Sequence, residues 1–249
     1  DVQPGGEIAT TMEVADLPEI VGVEVAESDG NLTTRAARLL QQETGCRLGA
    51  RIAIRKRIPI GGGLGGGSAD AAMTLRTLNR LWGTGLSRDR LMALAARLGC
   101  DIPCLVHGGA VAVAGVGDQV QGLLPPDGAP RPSWWLVVVN PGFSTSTRDI
   151  FERYRSGLTS PPDSYNTIYS ALMTGDVRRA AANLFNSLEA TVFAKYPLAR
   201  MLAEELRGAG ALGAMVSGSG SSLFALAESE AQARAVERRL RARAGVAVW

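Results

Sequence analysis

Two hydrophobic periods run through this chain, and the points where one gives way to the other mark its elements. Positions 51–58 set Ile52, Ile54 and Ile58 against Arg51, Arg55 and Arg57. Alternation with a period of two predicts a strand with one wet face, the usual pattern of antiparallel sheet. A period near 3.6 governs the flanks. Leu32, Ala36, Leu39 and Leu40 share one face of an expected helix over 31–45, closed by Gly45. Ala71, Leu75, Leu78 and Trp82 do the same for a helix that follows residue 67, with Ser68 as its N-cap, Asp70 in its first turn and Gly83 at its end. Another helix is expected from Ser87 to Gly99.

The remaining chain continues this mixture. Residues 1–30 contain short β-like runs such as IVGVEV between turn residues, and 108–123 read as two strands around a turn. The proline-rich PPDGAPRP at 125–132 is the expected linker. Beyond it come a buried strand in WWLVVVNPG, helices over roughly 176–195 and 197–207, a strand–loop–strand at 212–227, and an amphipathic helix before the closing GVAVW. Strands and helices alternate irregularly, so the expected class is α+β in two layered domains, 1–132 and 133–249, and not a doubly wound parallel sheet.

Between the strand at 51–58 and the next helix stands PIGGGLGGGSAD, with six glycines in seven positions. Each glycine costs about 0.5–1 kcal/mol of folding entropy relative to alanine in regular structure, so bare backbone must serve a purpose here. Gly61, Gly63 and Gly66 satisfy G-x-G-x-x-G, but the arginines on the preceding strand and the helix after the next helix do not fit a dinucleotide fold. The lysine of a Walker-type loop is missing. A strand, a flexible turn and a helix N-terminus still bring unpaired N–H groups to one spot, an anion site suited to a nucleotide polyphosphate. Ser68 could cap the helix, donate to phosphate or hold Mg2+. A close-packing turn would need only one or two glycines.

Composition narrows the setting. Hydrophobic residues at 46% and charged residues at 20% indicate a globular protein, and a net charge of +2 gives no electrostatic case for nucleic acid or an anionic membrane. The absence of a long apolar run or a leader-like opening makes a cytoplasmic protein the expectation. Cys46, Cys100 and Cys104 are too few for a disulfide framework, and the C-x3-C of Cys100 and Cys104 has no second ligand pair for zinc. His107 is the single histidine and reads as structural or substrate-side. Lys56 and Lys195 are the two lysines, which limits any chemistry that needs an ammonium group.

The stretch PIGGGLGGGSADAA resembles the central motif of the GHMP kinase superfamily. More narrowly, GGGLGGGSADAAMTLRTLNRLW, LAARLGCDIPCLVHGGAVAVAGVGD and NLTTRAARLL are similar to the 4-diphosphocytidyl-2-C-methyl-D-erythritol kinase family, from about Asn31 to the C-terminus and most strongly over 51–118. The resemblance implies a ribosomal-S5-like N-terminal domain and a ferredoxin-like C-terminal domain with the site in the cleft between. It implies ATP and Mg2+ as cofactors, a cytidine-diphosphate sugar alcohol as substrate, phosphorylation of its 2-hydroxyl in non-mevalonate isoprenoid synthesis, and a monomer or weak homodimer. Asp101 in GCDIP becomes the base, although an aspartate past a helix stop also reads as a surface turn or cap, and only burial would tune it.

By the same resemblance Asn31 and Lys56 line the adenine pocket, Pro59 and Ile60 enter the loop, and Gly61, Gly62, Gly63, Leu64, Gly65, Gly66, Gly67, Ser68 and Ala69 complete the ATP-binding set. Thr147 and Phe151 in STSTRDIF receive the cytidine, and Ser217, Gly218, Ser219 and Gly220 form a second glycine turn. Taken alone, these residues also read as a cap, a core aromatic and a hairpin turn. The family's P-x-K-x-N-L strand with its catalytic lysine and its D-G-Y-H segment do not occur here. The expectation is therefore an upstream segment bearing them. Without one, a non-catalytic nucleotide-binding module gains weight; a homoserine or mevalonate kinase is the nearer alternative.

Overall fold

The computed structural model describes residues 2–3, 5–14, 30–123, 132–155, 165–242 and 246–249. They form two compact units. The first comprises the described residues up to Ile58 together with Gly65–Leu123; the second comprises Pro59–Leu64 and the described residues from Pro132 onward. IVGVEV and nearly all of the expected linker lie outside the described residues.

In the first unit β1 (Val2–Gln3), β2 (Ile8–Val14) and β3 (Gly49–Lys56) form a sheet in the order β1-β3-β2. β3 has the expected wet face, with Arg51, Ala53 and Arg55 exposed, but it ends at Lys56, and Ile58, expected on the dry face, lies past its end and is exposed. Its main pairing, however, is parallel, from Ile8 opposite Ala50 to Val14 opposite Lys56, and only the two residues of β1 run antiparallel to it. Alternation records which face is wet and says nothing of a neighbour's direction. Helix α1 (Leu32–Thr44) connects in sequence between β2 and β3, capped by Asn31, whose side chain accepts from Thr33 N at 2.8 Å, and closed by Gly45 in the left-handed region.

Helix α2 (Gly66–Leu81) begins earlier than the side chains suggest. Its N-cap is Gly65 at φ +65°, with no side-chain cap, so Ser68 is the third helical residue and Asp70 falls in the second turn. A left-handed glycine turns the chain directly into the helix before any capping side chain is reached. Helices α3 (Arg88–Ala96) and α4 (Ile102–His107) follow, then a hairpin of β4 (Val111–Ala114) and β5 (Gln119–Gly122). Ala36, Leu40, Ala71, Leu75, Leu94 and Ile102 lie at the centre of this unit's core.

The second unit carries β6 (Trp135–Asn140), α5 (Thr147–Arg153), α6 (Tyr165–Thr174), α7 (Val177–Ala182), α8 (Glu189–Lys195), α9 (Pro197–Gly208), β7 (Gly213–Val216), β8 (Leu223–Ala227), α10 (Glu230–Arg241) and β9 (Ala247–Val248). The four strands form an antiparallel sheet in the order β7-β8-β6-β9. The helix expected over 176–195 is two helices. Asn186, between them, donates from Nδ2 to Val216 O and Gly218 O at 2.9 and 2.8 Å, so the break supports the glycine turn after β7. Val139, Val192, Leu206, Val216, Leu223 and Val236 fill the main core. No helix of the described residues is long and apolar enough to cross a membrane.

Candidate active site

The glycine run is divided between the two units, and its halves use glycine differently. Gly61, Gly62 and Gly63 pack in the second unit against the turn that joins β7 to β8. Ser217 Oγ donates to Gly63 O at 2.9 Å, Ser222 N to Gly62 O at 3.0 Å, and Thr145 N to Gly61 O at 3.2 Å. A Cβ at Gly62 would come within 2.9 Å of Asn140 Nδ2 and 3.0 Å of Ser222 Oγ, and one at Gly63 would collide with the carbonyl oxygens of Ser217 and Gly220. At these three glycines the bare backbone admits neighbouring protein atoms. Protein packing accounts for more of the run than the one or two glycines expected of a turn.

Gly65, Gly66 and Gly67 belong to the first unit and open α2. Ala69 N makes the first helical bond, to Gly65 O at 2.8 Å, which leaves the N–H groups of Gly66, Gly67 and Ser68 without intrahelical partners. Those donors and the positive helix end make an anion-binding pole. Lys56 lies beside it: a Cβ at Gly66 would be 3.1 Å from Lys56 Nζ. The lysine is 5% exposed, and its ammonium donates to Asp70 Oδ2 at 2.6 Å. Lys56, already a candidate by resemblance, follows Ile52 and Ile54 on the inward face of β3, so period-two reading carried to its last residue also gives its burial. Asp70 had no such signal beyond its position one turn into α2.

The helices that follow Asn31 and Asp101 pack beside the glycine turn. A Cβ at Gly67 would be 3.8 Å from Leu32 Cδ1, next to Asn31, and one at Gly65 would be 3.9 Å from Leu105 Cδ1, on the helix that Asp101 precedes. Asp101 is exposed and not at the buried position expected of it. It stands at the N-cap position of α4 in helical backbone geometry with no side-chain cap bond, and Pro103 just inside the helix lacks one of the donors a cap would serve. Two thiols flank it: Cys100 Sγ lies 3.6 Å from Asp101 Oδ1, and Cys104 Sγ donates to Asp101 O at 3.0 Å. Partial burial and, after it, the Asp101 charge push both thiols above their ordinary range. His107 ends α4 with Nδ1 2.9 Å from Gly108 O and its ring against Gly122.

In the second unit Thr147 Oγ1 and Ser219 Oγ are 2.8 Å apart, which joins two positions of the expected substrate side. Phe151 is 59% exposed and not a core aromatic. The turn from Ser217 to Ser222 is held from below: Val216 N donates to Glu189 Oε1 at 3.0 Å, and Asn140 Nδ2 to Ser222 Oγ at 2.9 Å. Neither Asn140 nor Glu189 carried a motif signal. Lys195, the other lysine, pairs with Asp149 on α5, and that bond together with Arg153 holds the Asp149 carboxyl below the usual range.

The GHMP kinases N-terminal domain model matches residues 31–117, and the GHMP kinases C-terminal model matches 168–246. The chain belongs to the GHMP kinase family. The 4-diphosphocytidyl-2-C-methyl-D-erythritol kinase of Alkalilimnicola ehrlichii is 46% identical over 88% of this chain and 69% of its own length. That of Pelotomaculum thermopropionicum is 39% identical over 95% of this chain and 78% of its own. A crystal structure of 4-(cytidine 5'-diphospho)-2C-methyl-D-erythritol kinase matches with a TM-score of 0.76 and 31% identity, over 100% of this chain and 83% of that one. A homoserine kinase from Cytophaga hutchinsonii matches with a TM-score of 0.77 at 21% identity, over 100% of this chain and 82% of that one, and speaks for the fold alone. The α+β fold of this GHMP kinase is thus the expected pair of a ribosomal-S5-like N-terminal and a ferredoxin-like C-terminal domain. The dinucleotide reading of the glycines falls with that assignment.

Proposed function

We propose that this GHMP kinase transfers the γ-phosphoryl group of ATP to the 2-hydroxyl of 4-diphosphocytidyl-2-C-methyl-D-erythritol. The observation that carries the reading is the glycine turn into α2, with a buried lysine at the helix mouth, in a chain 46% identical to a kinase of that name. The N–H groups of Gly66, Gly67 and Ser68 bind phosphate oxygens, while Gly61–Leu64 shape the approach and Ala69 continues the helix. Asn31 serves the adenine side, Pro59 and Ile60 lead into the loop, and the Lys56 ammonium sits at the helix mouth beside the phosphates. Asp101 accepts the proton of the 2-hydroxyl as its oxygen attacks the γ-phosphorus and ADP leaves. Thr147, Phe151 and Ser217–Gly220 serve the cytidyl substrate, with the exposed Phe151 ring stacking on the base.

A magnesium ion carried in on the nucleotide phosphates could take the Ser68 hydroxyl as a hard oxygen ligand, while Asp70 Oδ2 is already taken by Lys56. When bound it would spread the negative charge of the phosphates. The reading places the enzyme in isoprenoid precursor synthesis in the cytoplasm, acting as a monomer or weak homodimer on small molecules, with no nucleic-acid or membrane partner. The test is turnover: with ATP and magnesium the cytidyl alcohol should be phosphorylated in preference to homoserine or mevalonate. ATP binding without turnover of any of the three would favour a non-catalytic nucleotide binder.

A further inference from the structure

Lys56 presents an electrostatic problem that the phosphate reading alone does not resolve. Its ammonium is buried at the N-terminal end of α2, where the helix dipole already places positive charge. A buried cation is costly unless it is paired, and here the local field makes it costlier. The chain has nonetheless fitted it closely. Gly66 has no room for a Cβ, which would lie 2.9 Å from Ile58 Cγ2 and 3.1 Å from Lys56 Nζ. The strand alternation drives the side chain inward behind Ile52 and Ile54. Asp70, one turn into the same helix, meets the ammonium at 2.6 Å through Oδ2.

Among the described residues the carboxylate uses one of the three ammonium donors and leaves two. It is itself anchored, since Thr74 Oγ1 donates to Asp70 O at 2.8 Å and fixes the helical turn from which the side chain projects. We infer that Asp70 is a positioning residue for nucleotide binding: it holds the Lys56 ammonium at the start of α2, so that the remaining donors and the free helix N–H groups form one preset anion pole. Preorganisation of this kind removes from binding the cost of ordering a long, flexible side chain. The inference rests on the kinase reading above and adds a residue to it, acting through Lys56 and not on ATP itself.

The test measures ATP affinity by calorimetry, and KM for ATP and for the cytidyl alcohol separately, in wild type, Asp70→Asn, Asp70→Glu, Lys56→Met and the Lys56→Met/Asp70→Asn double variant. Loss of a charge-assisted contact of this kind should weaken ATP binding about tenfold in Asp70→Asn. The change should fall on KM for ATP and not on KM for the alcohol, and Asp70→Glu should recover most of it. In the Lys56→Met background Asp70→Asn should cause no further loss, because Asp70 acts only through the lysine. The double variant replaces the ion pair by two neutral groups and keeps the question open should Asp70→Asn alone fail to fold. An equal loss in both backgrounds, or unchanged ATP affinity in a folded Asp70→Asn, overturns the inference and leaves the kinase reading intact. A wild-type chain that binds no ATP overturns both.

Discussion

Asp101 stands exposed at the head of a short helix whose N-terminus it does not cap, with the thiols of Cys100 and Cys104 against it. A carboxylate open to solvent can be reached by a substrate hydroxyl, which a general base requires. Asp101→Asn should retain ATP binding and lose about 10²–10⁴-fold in turnover. Near-full turnover would leave it a turn residue. The same variant has a second readout. Burial and then the Asp101 charge raise both thiols, so removing that charge lowers them and enlarges the thiolate fraction at a given pH. Alkylation of Cys100 and Cys104 by iodoacetamide at mildly alkaline pH should then speed up by about twofold, with the gain shrinking once the pH is high enough to ionise both forms. An unchanged rate would mean the charge does not govern the thiols. Nothing in the composition or spacing around GCDIP singled Asp101 out; its candidacy came from the family motif. Lys56 was legible in principle, since a lysine in register with two isoleucines must point inward, but its partner lies on another element and no local pattern names it.

At the scale of elements, most of the fold was legible where local chemistry sets it. The Asn31 and Ser87 caps, the Gly45 stop and the buried stripe of α2 depend on neighbours three or four residues away, and all stand as the pattern implies. What the pattern missed depends on distant partners: the parallel direction of β3, the interruption at Asn186 and the earlier start of α2 at a left-handed glycine. The glycine run shows both kinds of constraint side by side. Gly63→Ala must accept a positive φ and push against two backbone carbonyls, whereas Gly65→Ala has φ +65° but open space, its nearest neighbour being Leu105 Cδ1 at 3.9 Å. Denaturant melting should show a loss of about 1 kcal/mol for Gly65→Ala. Gly63→Ala should lose at least about 2 kcal/mol more, because backbone cannot move aside as a side-chain tip can. ATP binding should weaken in Gly65→Ala beyond what its small stability cost explains. Equal melting losses at the two positions would mean that the packing of Gly63 against the β7–β8 turn does not set its identity.

For the molecule as a whole, the units are not two consecutive lengths of sequence. Pro59–Leu64 leave the first unit between β3 and α2 and are counted with the second, where Gly61, Gly62 and Gly63 each accept a hydrogen bond through the carbonyl oxygen. A division at the proline-rich segment, which the composition suggests, therefore separates the second unit from six of its described residues. A fragment of residues 132–249 would leave Ser217 Oγ, Ser222 N and Thr145 N without these acceptors, and would open the space that Gly62 occupies beside the buried Asn140. Lost partners at that many sites cost about 1 kcal/mol or more each when the groups remain buried. Expressed alone, this fragment should be poorly soluble or should melt at clearly lower denaturant than the same region within the intact chain. Co-expression with residues 1–131, which return the loop, should recover a stable complex. The comparison isolates the loop if a second fragment pair is made in which the first partner carries Gly63→Ala: that pair should assemble less well. A lone 132–249 fragment as stable as the intact chain would show that the second unit does not need the glycine run, and that the run's conformation must be held by the first unit or by its ligand.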